Sequence, residues 1–331
     1  MSGDGPTLVS DRYSRQVVLP EVGEGGQARL AAASVAVVGA GGLGCALLGY
    51  LAAAGVGRLT IVDHDSVEES NLHRQPLYRM SDLGKPKAEA ARAALIALNP
   101  EVRIEPLCER LTPANAAGLV ATADVVVDAA DSFAVSYVLS DACQHAAKPL
   151  VSASVLGLSG YVGAFCGGAP SYRAVFPELP RQAGSCAESG VLGTAVGVMG
   201  TLQAHLALAL LLKLEPSVLG RLISVDFRTL HLGGFSFLRA AEPANALTFI
   251  APADVGSSDL VVDLRGRIEA PIPAFPSALR LSVEALEQGT HPLPPAPRVV
   301  LCCRTGVRAW RAARALAAQG HRNVALIALG E

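Results

Sequence analysis

A glycine-rich turn at residues 39–44 could cradle the phosphates of a nucleotide, because it lies between an apolar segment and an apolar helix pattern. Gly39 allows a tight turn, Gly41 lets the backbone approach a phosphate, and Gly44 lets the helix pack close to the strand. N–H groups at the helix start, with the helix dipole behind them, would face the phosphates. Asp63 ends a second apolar segment 24 residues after Gly39, near the spacing of an acid that binds a ribose hydroxyl.

Polar and charged side chains follow Asp63 closely, and this collection favours ATP over NAD. An enzyme that brings a carboxylate to the α-phosphate of ATP must offset the negative charges of both groups and of the departing pyrophosphate. Cations, oriented hydrogen-bond donors and Mg²⁺ can supply this stabilisation. Asp131 follows a third apolar segment, where ligands bind in such sheets, and is a candidate magnesium ligand. The candidate nucleotide-binding residues are Gly39, Gly41, Gly42, Gly44, Asp63, Asp65, Asn71, Arg74, Gln75 and Lys87. An NAD oxidoreductase stays open as an alternative, since the glycine turn alone is compatible with it.

A second group of residues suited to chemistry lies at 303–308, Cys-Arg-Thr-Gly-Val-Arg, between an apolar segment and a helix pattern. Loop N–H groups and the helix N-terminus would stabilise a thiolate or persulfide on Cys303. Gly306 permits a tight loop, and Arg304 and Arg308 add positive charge. Cys302 should point to the other side of its strand, so we interpret it as a core residue.

The elements that must position these residues alternate between strand and helix patterns up to residue 152, which predicts a doubly wound, mostly parallel sheet of the Rossmann-like class. The predicted strands are 35–38, 58–62, 102–106, 124–128 and 149–152, and the predicted helices are 27–33, 43–54, 87–98, 113–121 and 136–146. Segments 156–166, 222–227 and 230–237 then predict an antiparallel extension. An Ala- and Pro-rich linker follows, and strands 260–264, 299–302 and 323–327 with helix 309–319 predict a small α/β domain.

Composition is typical of a globular protein with a large core, at 331 residues, 51% hydrophobic and 17% charged. The net charge of −2 argues against a broad surface for nucleic acid or anionic membrane. Seven cysteines without a Cys-x-x-Cys pair, and no signal pattern at residues 1–11, favour reduced thiols and a cytoplasmic location. The apolar run 194–212 has Gln203 and His205 at its centre, which favours a core or subunit-interface helix over a membrane span. We place the domains at residues 1–240 and 258–331, with a linker at 241–257.

Residues 10–240 resemble the ThiF/MoeB/HesA adenylyltransferases, relatives of ubiquitin-activating enzymes. The matching pieces are Arg12-Tyr13-Ser14-Arg15-Gln16, residues 39–44, Asp63 with Asp65, Asn71-Leu72-His73-Arg74-Gln75, Lys87, Asp131 and residues 185–193. The resemblance implies adenylation of the C-terminal Gly-Gly carboxylate of a small ubiquitin-like protein. It implies Asp63 on the ribose, Arg74 and Lys87 on phosphates, and Asp131 on Mg²⁺. It also implies that Arg15 reaches the partner subunit's site, hence a homodimer.

Two features depart from that family. Most of its sulfur-carrier members hold a structural zinc with two Cys-x-x-Cys pairs, and here residues 171–174 and 239–246 contain no cysteine, so we expect no zinc. The family usually has Asp-Asn-x-x-x-Arg beginning at the metal ligand, and after Asp131 this chain has Ser132 in place of the Asn and Ser136 in place of the Arg. This change could weaken substrate binding or mark an unusual carrier, and the sequence does not decide between them.

The resemblance also implies a cysteine that joins the carrier covalently, which falls on Cys186; a structural thiol is the alternative. Residues 248–331 resemble rhodanese sulfurtransferases, with Cys303 as the implied nucleophile and Asp263 opening the Asp-x-Arg segment. The usual Gly-His-Ile segment is absent, and residues 275–280 hold its approximate place. A degenerate, structural rhodanese unit is therefore the alternative to an active one.

The sequence as a whole predicts an adenylyltransferase fused to a sulfurtransferase, which uses Mg²⁺-ATP and a persulfide or thiosulfate donor to form a thiocarboxylate on the carrier. The implied catalytic residues are Arg15, Arg74, Lys87, Asp131, Cys186 and Cys303. Two alternatives remain open: an adenylating enzyme without a sulfur role, and a non-catalytic scaffold that binds a ubiquitin-like protein. The carrier, the pathway and the sulfur donor do not follow from the sequence.

Overall fold

The computed structural model describes residues 11–179 and 190–330, and an eight-stranded sheet dominates the first part. Its strands are β1 (Ser34–Val38), β2 (Arg58–Val62), β3 (Arg103–Leu107), β4 (Val125–Asp128), β5 (Pro149–Leu156), β6 (Ser159–Cys166), β7 (Arg221–Asp226) and β8 (His231–Ser236). The spatial order is β3-β2-β1-β4-β5-β6-β7-β8. Pairing is parallel from β3 through β5 and antiparallel from β5 to β8, which confirms the predicted sheet and its extension.

Helices cover both faces of this sheet, as expected for parallel strands rich in valine. They are α1 (Ser14–Val17), α2 (Gly23–Ala32), α3 (Gly42–Ala53), α4 (Lys87–Leu98), α5 (Pro113–Ala121), α6 (Phe133–His145), α7 (Tyr172–Val175) and α8 (Gly193–Leu212). The long apolar helix α8 packs against α3, β5 and β6, and its Gln203 donates a hydrogen bond to the carbonyl of Asp128 at 2.7 Å. In this arrangement α8 is a core helix, which agrees with the expectation from its polar centre.

A five-stranded parallel sheet forms the second part, in the order β11-β10-β12-β13-β9. Its strands are β9 (Thr248–Phe249), β10 (Leu260–Asp263), β11 (Leu279–Arg280), β12 (Val299–Cys303) and β13 (Val324–Ala328), with helices α9 (Val283–Glu287) and α10 (Val307–Ala318). The sequence patterns did not reveal β9 or β11, because two residues are too few to show alternation and both are edge strands fixed by distant partners. Strand β9 lies within the expected linker.

The two sheets share a hydrophobic core through α6 and α10. The rings of Tyr137 and Trp310 lie 4.9 Å apart, and the Arg173 guanidinium lies 4.5 Å from the Tyr137 ring. At the margin of this contact, Arg314 forms a 2.7 Å ion pair with Glu178. The second sheet therefore packs directly on a helix that starts beside the predicted nucleotide site.

Candidate active sites

The glycine turn between β1 and α3 has room for backbone only. Gly39 has a φ of +99°, and a Cβ built on it would lie 2.6 Å from the carbonyl oxygen of Ala129. A Cβ on Gly44 would lie 2.1 Å from the Gly39 carbonyl oxygen, and one on Gly42 would lie 2.6 Å from a methyl group of Val196. Glycine at these positions lets α3 begin against the end of β1, so that its N-terminal N–H groups face the sheet edge.

Asp63 follows the last residue of β2 and is buried, and both of its carboxylate oxygens accept hydrogen bonds. Its carboxylate accepts the N–H of Ala40, in the glycine turn, at 2.7 Å and the N–H of Asp65 at 2.8 Å. Burial raises the pKa of Asp63, and the two backbone hydrogen bonds partly oppose that effect. Asp63 thus fixes the shape of the glycine turn as well as offering oxygen atoms at the site.

Lys87, at the start of α4, is buried and donates to Asp65 at 2.8 Å. Partial burial by itself pushes the pKa of Asp65 upward, but the hydrogen bond and charge of Lys87 outweigh it, so the pKa is lowered and the carboxylate is ionised at neutral pH. The Nε2 atom of His64 lies 3.4 Å from Asp65. Ligand atoms of Asp63, His64 and Asp65 all lie within 4.8 Å of one another, a grouping that could hold a metal ion.

Asn71, Arg74 and Gln75 lie together on the turn that follows. Arg74 donates to the Asn71 side chain at 2.7 Å, and Gln75 Nε2 lies 3.7 Å from where a Cβ on Gly41 would stand. The Gln75 side-chain oxygen is buried and has no hydrogen-bond partner within residues 11–179 and 190–330. An unpaired buried acceptor costs free energy, which a donor from a bound ligand would recover.

Asp131 is exposed just before α6, whereas the nearby Asp128 is fully buried at the end of β4. Asp128 accepts hydrogen bonds from Ser136 at 2.7 Å and Ser152 at 2.8 Å. Burial raises its pKa to about 6, against the pull of these two hydroxyls. Sequence reasoning missed Asp128, because an aspartate at a strand end shows its burial only once the helices are packed. Helix α6 starts at Phe133, not at 136 as predicted, and the bond from Ser136 to Asp128 fixes its first turn.

Arg15 lies apart from these residues. Its side chain is exposed and makes no hydrogen bond or ion pair with any part of the chain that the structure describes. Cys186, the other residue assigned from the family pattern, lies outside the described residues. Among the other cysteines, Cys108 is exposed, whereas Cys45, Cys143 and Cys166 are buried.

The loop that follows β12, residues 303–308, is termed here the sulfur loop. The Cys303 sulfur is buried and accepts the N–H groups of Gly306 at 3.2 Å and Ala309 at 3.4 Å, where α10 begins. Two N–H groups at a helix N-terminus stabilise negative charge on sulfur. Cys302 points to the opposite face of the sheet and donates to the carbonyl of Val262 at 3.5 Å, and burial raises its pKa to about 12. Cys302 is thus the core thiol that strand alternation predicted.

Ion pairs hold the surroundings of the sulfur loop. Asp263 is buried at the end of β10, accepts two hydrogen bonds from the Arg265 side chain and one from its backbone N–H, and accepts the N–H of Ala274 at 2.9 Å. Arg308 pairs with Glu269 across the base of the loop. The Asp-x-Arg segment, residues 263–265, therefore stabilises the strand end next to Cys303. Among the described residues, no hydrogen bond joins this segment to the Cys303 sulfur.

Where the family pattern would bring two cysteine pairs together, this chain has a hydrogen-bonded clasp. Glu242 accepts the backbone N–H of Ser171 at 2.7 Å and its hydroxyl at 2.5 Å. Arg173, two residues on, donates to Asp141 on α6 at 2.5 and 2.8 Å. These contacts line a cavity of about 390 Å³ and join the segment that leads to β9 to the first sheet.

Comparison with known proteins gives a family match over most of the chain. The ThiF family model matches residues 13–247. The adenylyltransferase and sulfurtransferase MOCS3 of Sus scrofa is 41% identical over 319 residues, covering 84% of this chain and 70% of that protein. The sulfur carrier protein adenylyltransferase of Thermus thermophilus is 47% identical over 224 residues, covering 65% and 83% respectively. The crystal structure of E. coli MccB superposes with a TM-score of 0.62 at 22% identity over 71% of each chain, a likeness of fold.

Proposed function

Because this chain belongs to the ThiF family, we propose that it adenylates the C-terminal Gly-Gly carboxylate of a ubiquitin-like sulfur-carrier protein and then converts that group to a thiocarboxylate. It is an adenylyltransferase with a sulfurtransferase activity. One observation carries the proposal: a nucleotide site and a cysteine cradled by helix N–H groups lie on one chain, and a relative named for both activities matches 84% of it.

Adenylation joins the carrier carboxylate to the α-phosphorus of ATP while the bond to pyrophosphate breaks. We assign Asp63 to the ribose, and Arg74 and Lys87 to the phosphates, with Arg15 supplied by a second subunit. Asp131 offers carboxylate oxygens, which suit Mg²⁺ because this ion prefers oxygen ligands, and Mg²⁺ there would offset charge on the departing pyrophosphate. Helix α3 begins at Gly42 without a side-chain cap, so its N-terminal N–H groups are available for a phosphate at the glycine turn.

Sulfur transfer starts from a persulfide on Cys303, which thiosulfate forms by giving up its outer sulfur and releasing sulfite. The terminal sulfur attacks the acyl carbon, the bond to the phosphate oxygen breaks, and AMP leaves with the electron pair. A second thiol, for which Cys186 is our candidate, then attacks the Cys303 sulfur and releases the thiocarboxylate. The resulting disulfide needs a dithiol reductant before the next cycle.

We further propose a homodimer in the cytoplasm. Arg15 supports the dimer, because its exposed guanidinium forms no bond within the described part of its own chain and is free to serve another. The described cysteines are all free thiols, which suits a reducing compartment. The mass of the protein in solution, measured by light scattering, tests the dimer directly.

We expect no structural zinc, because Ser171 and Glu242 join by direct hydrogen bonds the two segments that zinc joins in the family pattern. Protein purified without chelators should contain far less than one zinc per chain by elemental analysis. Stoichiometric zinc that survives dialysis would contradict this expectation.

The activity is tested by incubating the protein with Mg²⁺-ATP, thiosulfate, a dithiol and Gly-Gly-ended carrier proteins from the same genome, and reading the intact mass of each carrier. Exchange of one oxygen for sulfur on a carrier is the expected result. AMP formation without sulfur incorporation would restrict the function to adenylation. Carrier binding without ATP turnover would reduce the protein to a scaffold.

A further inference from the structure

The sulfur loop lies against the helix that borders the nucleotide site of the same chain. A Cβ built on Gly306 would lie 3.4 Å from the Cβ of Ala134 and 2.7 Å from the ring of Phe249. Ala134 belongs to the first turn of α6, three residues after Asp131. The loop that carries Cys303 therefore reaches the start of α6, where the candidate magnesium ligand also lies.

A second contact joins the two sites through Arg110, in the segment between β3 and α5. On one side its Nη2 atom donates to His64 Nε2 at 2.7 Å, within the Asp63-His64-Asp65 grouping. On the other side its guanidinium lies against Gly330, where a built Cβ would stand 2.6 Å from the guanidinium carbon. The Arg110 charge also contributes to the lowered pKa of Asp65.

Gly330 in turn is tied to the sulfur loop by backbone hydrogen bonds. Its N–H donates to the carbonyl of Arg304 at 2.8 Å, and the N–H of Leu329 donates to the carbonyl of Cys303 at 2.9 Å. A bond from Asn115 to the Arg110 carbonyl, at 2.9 Å, holds the backbone of the arginine. A continuous series of contacts thus runs from His64 through Arg110 and Gly330 to the backbone of Cys303.

The interface between α6 and the second sheet, which creates these contacts, is well packed. Cys303, Phe249, Trp310 and Ala134 belong to one buried cluster with Tyr137 of α6, the helix that packs on the first sheet. Large aromatic contacts of this kind are not easily separated, because opening them exposes apolar surface to water. The neighbouring position of the two sites is therefore a property of the packed chain.

We propose that the acyl-adenylate made at the nucleotide site is attacked by the Cys303 persulfide of the same chain while the sheets stay docked, and that Arg110 is the positioning residue that holds the sulfur loop beside that site. This inference rests on the function proposed above. The step is redox-neutral: the terminal persulfide sulfur bonds to the acyl carbon, and AMP departs with the electrons of the broken carbon–oxygen bond. A persulfide extends the nucleophile by about 2 Å beyond the cysteine sulfur.

Transfer within one chain is tested by combining two variants that are defective in different steps. Cys303→Ala lacks the nucleophile, and the double variant Lys87→Met/Asp131→Asn is confirmed as unable to adenylate by pyrophosphate exchange. The two variants are co-expressed with different affinity tags, and the species that carries both tags is purified and assayed for thiocarboxylate. If the two variants do not form a doubly tagged species, their mixture is assayed instead. Each variant combined with wild type serves as the control for mixing.

Same-chain transfer predicts no thiocarboxylate from the combined variants above the sum of the separate ones. Restored thiocarboxylate would overturn the inference, because Cys303 of one chain would then serve the adenylate of another. Wild-type protein that catalyses carboxylate-dependent pyrophosphate exchange but forms no thiocarboxylate would instead remove sulfur transfer from the proposed function, so the two failures are distinguishable.

The role of Arg110 is tested by the ratio of the rate of thiocarboxylate formation to the rate of carboxylate-dependent pyrophosphate exchange, which a general loss of folding would leave unchanged. Arg110→Ala should lower this ratio by about tenfold or more, since displacement of reacting groups by about 1 Å can cost on the order of a hundredfold in rate. Arg103→Ala, which removes an exposed arginine paired with Glu105 on β3, is the matched control and should leave the ratio unchanged. Equal ratios in both variants would remove Arg110 from the mechanism.

Discussion

Cys302 and Cys303 are neighbours in sequence, yet their surroundings give them opposite chemistry. Cys303 receives two N–H groups at the start of α10, while Cys302 is surrounded by apolar side chains and its raised pKa, about 12, keeps it a neutral thiol. A neutral thiol is a weak nucleophile and a poor persulfide carrier. We therefore assign the sulfur chemistry of this strand end to Cys303 alone.

Substitution of these two cysteines separates the half-reactions. Cys303→Ala should keep carboxylate-dependent pyrophosphate exchange and lose thiocarboxylate formation, because only the second step needs the persulfide. Cys302→Ala is the control and should keep both activities. Exchange is followed with labelled pyrophosphate and the thiocarboxylate by intact mass; loss of both activities in folded Cys303→Ala would contradict separate roles.

Asp128 makes stability depend on pH in a defined direction. Its pKa is about 6 when folded and near 4 when unfolded, so between these values the folded state binds more protons. Stability then falls as pH rises through this window and is flat above it. Relative to Asp128→Asn, wild type should lose about 1–2 kcal/mol of unfolding free energy between about pH 5 and pH 8.

Chemical denaturation of both proteins at the two pH values measures this difference, since effects of other titrating groups cancel between them. Ser136 is relevant here because it stands where the family pattern has arginine, and its hydroxyl donates a hydrogen bond to Asp128. An equal pH dependence in wild type and Asp128→Asn would show that the buried carboxyl does not titrate in this range.

At the scale of elements, the close approach of α3 to β1 depends on the absence of a side chain at Gly44. A Cβ on Gly44 would lie 2.1 Å from the Gly39 carbonyl oxygen, so Gly44→Ala must push the helix away from the glycine turn. Such overpacking costs about 1–3 kcal/mol, and it should weaken ATP binding further because the helix N–H groups move with it.

Gly49, on the same helix, supplies the matched control. A Cβ there meets nothing within 4 Å, so Gly49→Ala should be neutral or stabilise by up to about 1 kcal/mol. Thermal unfolding with and without Mg²⁺-ATP compares the two variants. An unchanged ATP-induced shift in the melting temperature of Gly44→Ala would contradict the proposed close approach of α3 to the phosphates.

At the scale of the whole molecule, Trp310 links the two sheets. It is almost fully buried between Tyr137, at 4.9 Å, and Phe249, at 6.4 Å between ring centres. Trp310→Ala should cost about 3–5 kcal/mol and reduce sulfur transfer more than adenylation, because the sulfur loop loses its support against α6.

Arg314→Ala removes the neighbouring exposed ion pair with Glu178 and should cost at most about 1 kcal/mol. Calorimetry measures both changes in stability, and assays of pyrophosphate exchange and of thiocarboxylate formation compare the two activities. Equal losses of adenylation and sulfur transfer in Trp310→Ala would show that the interface stabilises the protein without positioning the sulfur loop.

The sequence by itself determined the fold class, the family and the identity of the chemical groups. Glycine spacing at residues 39–44, the acid at Asp63 and the loop at Cys303 depend on local backbone geometry, which short motifs record directly. Residue roles for Arg15, Arg74 and Asp131 remain predictions that the binding and exchange experiments must test.

Only the tertiary structure decided which of these groups lie together. The contacts of Asp128 with Ser136 and Ser152, of Ser171 with Glu242, and of Arg110 with Gly330 join residues that no periodic pattern connects. The short strands β9 and β11 exist because distant strands offer them partners. Local motifs specify chemistry over a few residues, but burial and long-range packing set the pKa of a carboxyl group and the position of one site relative to another.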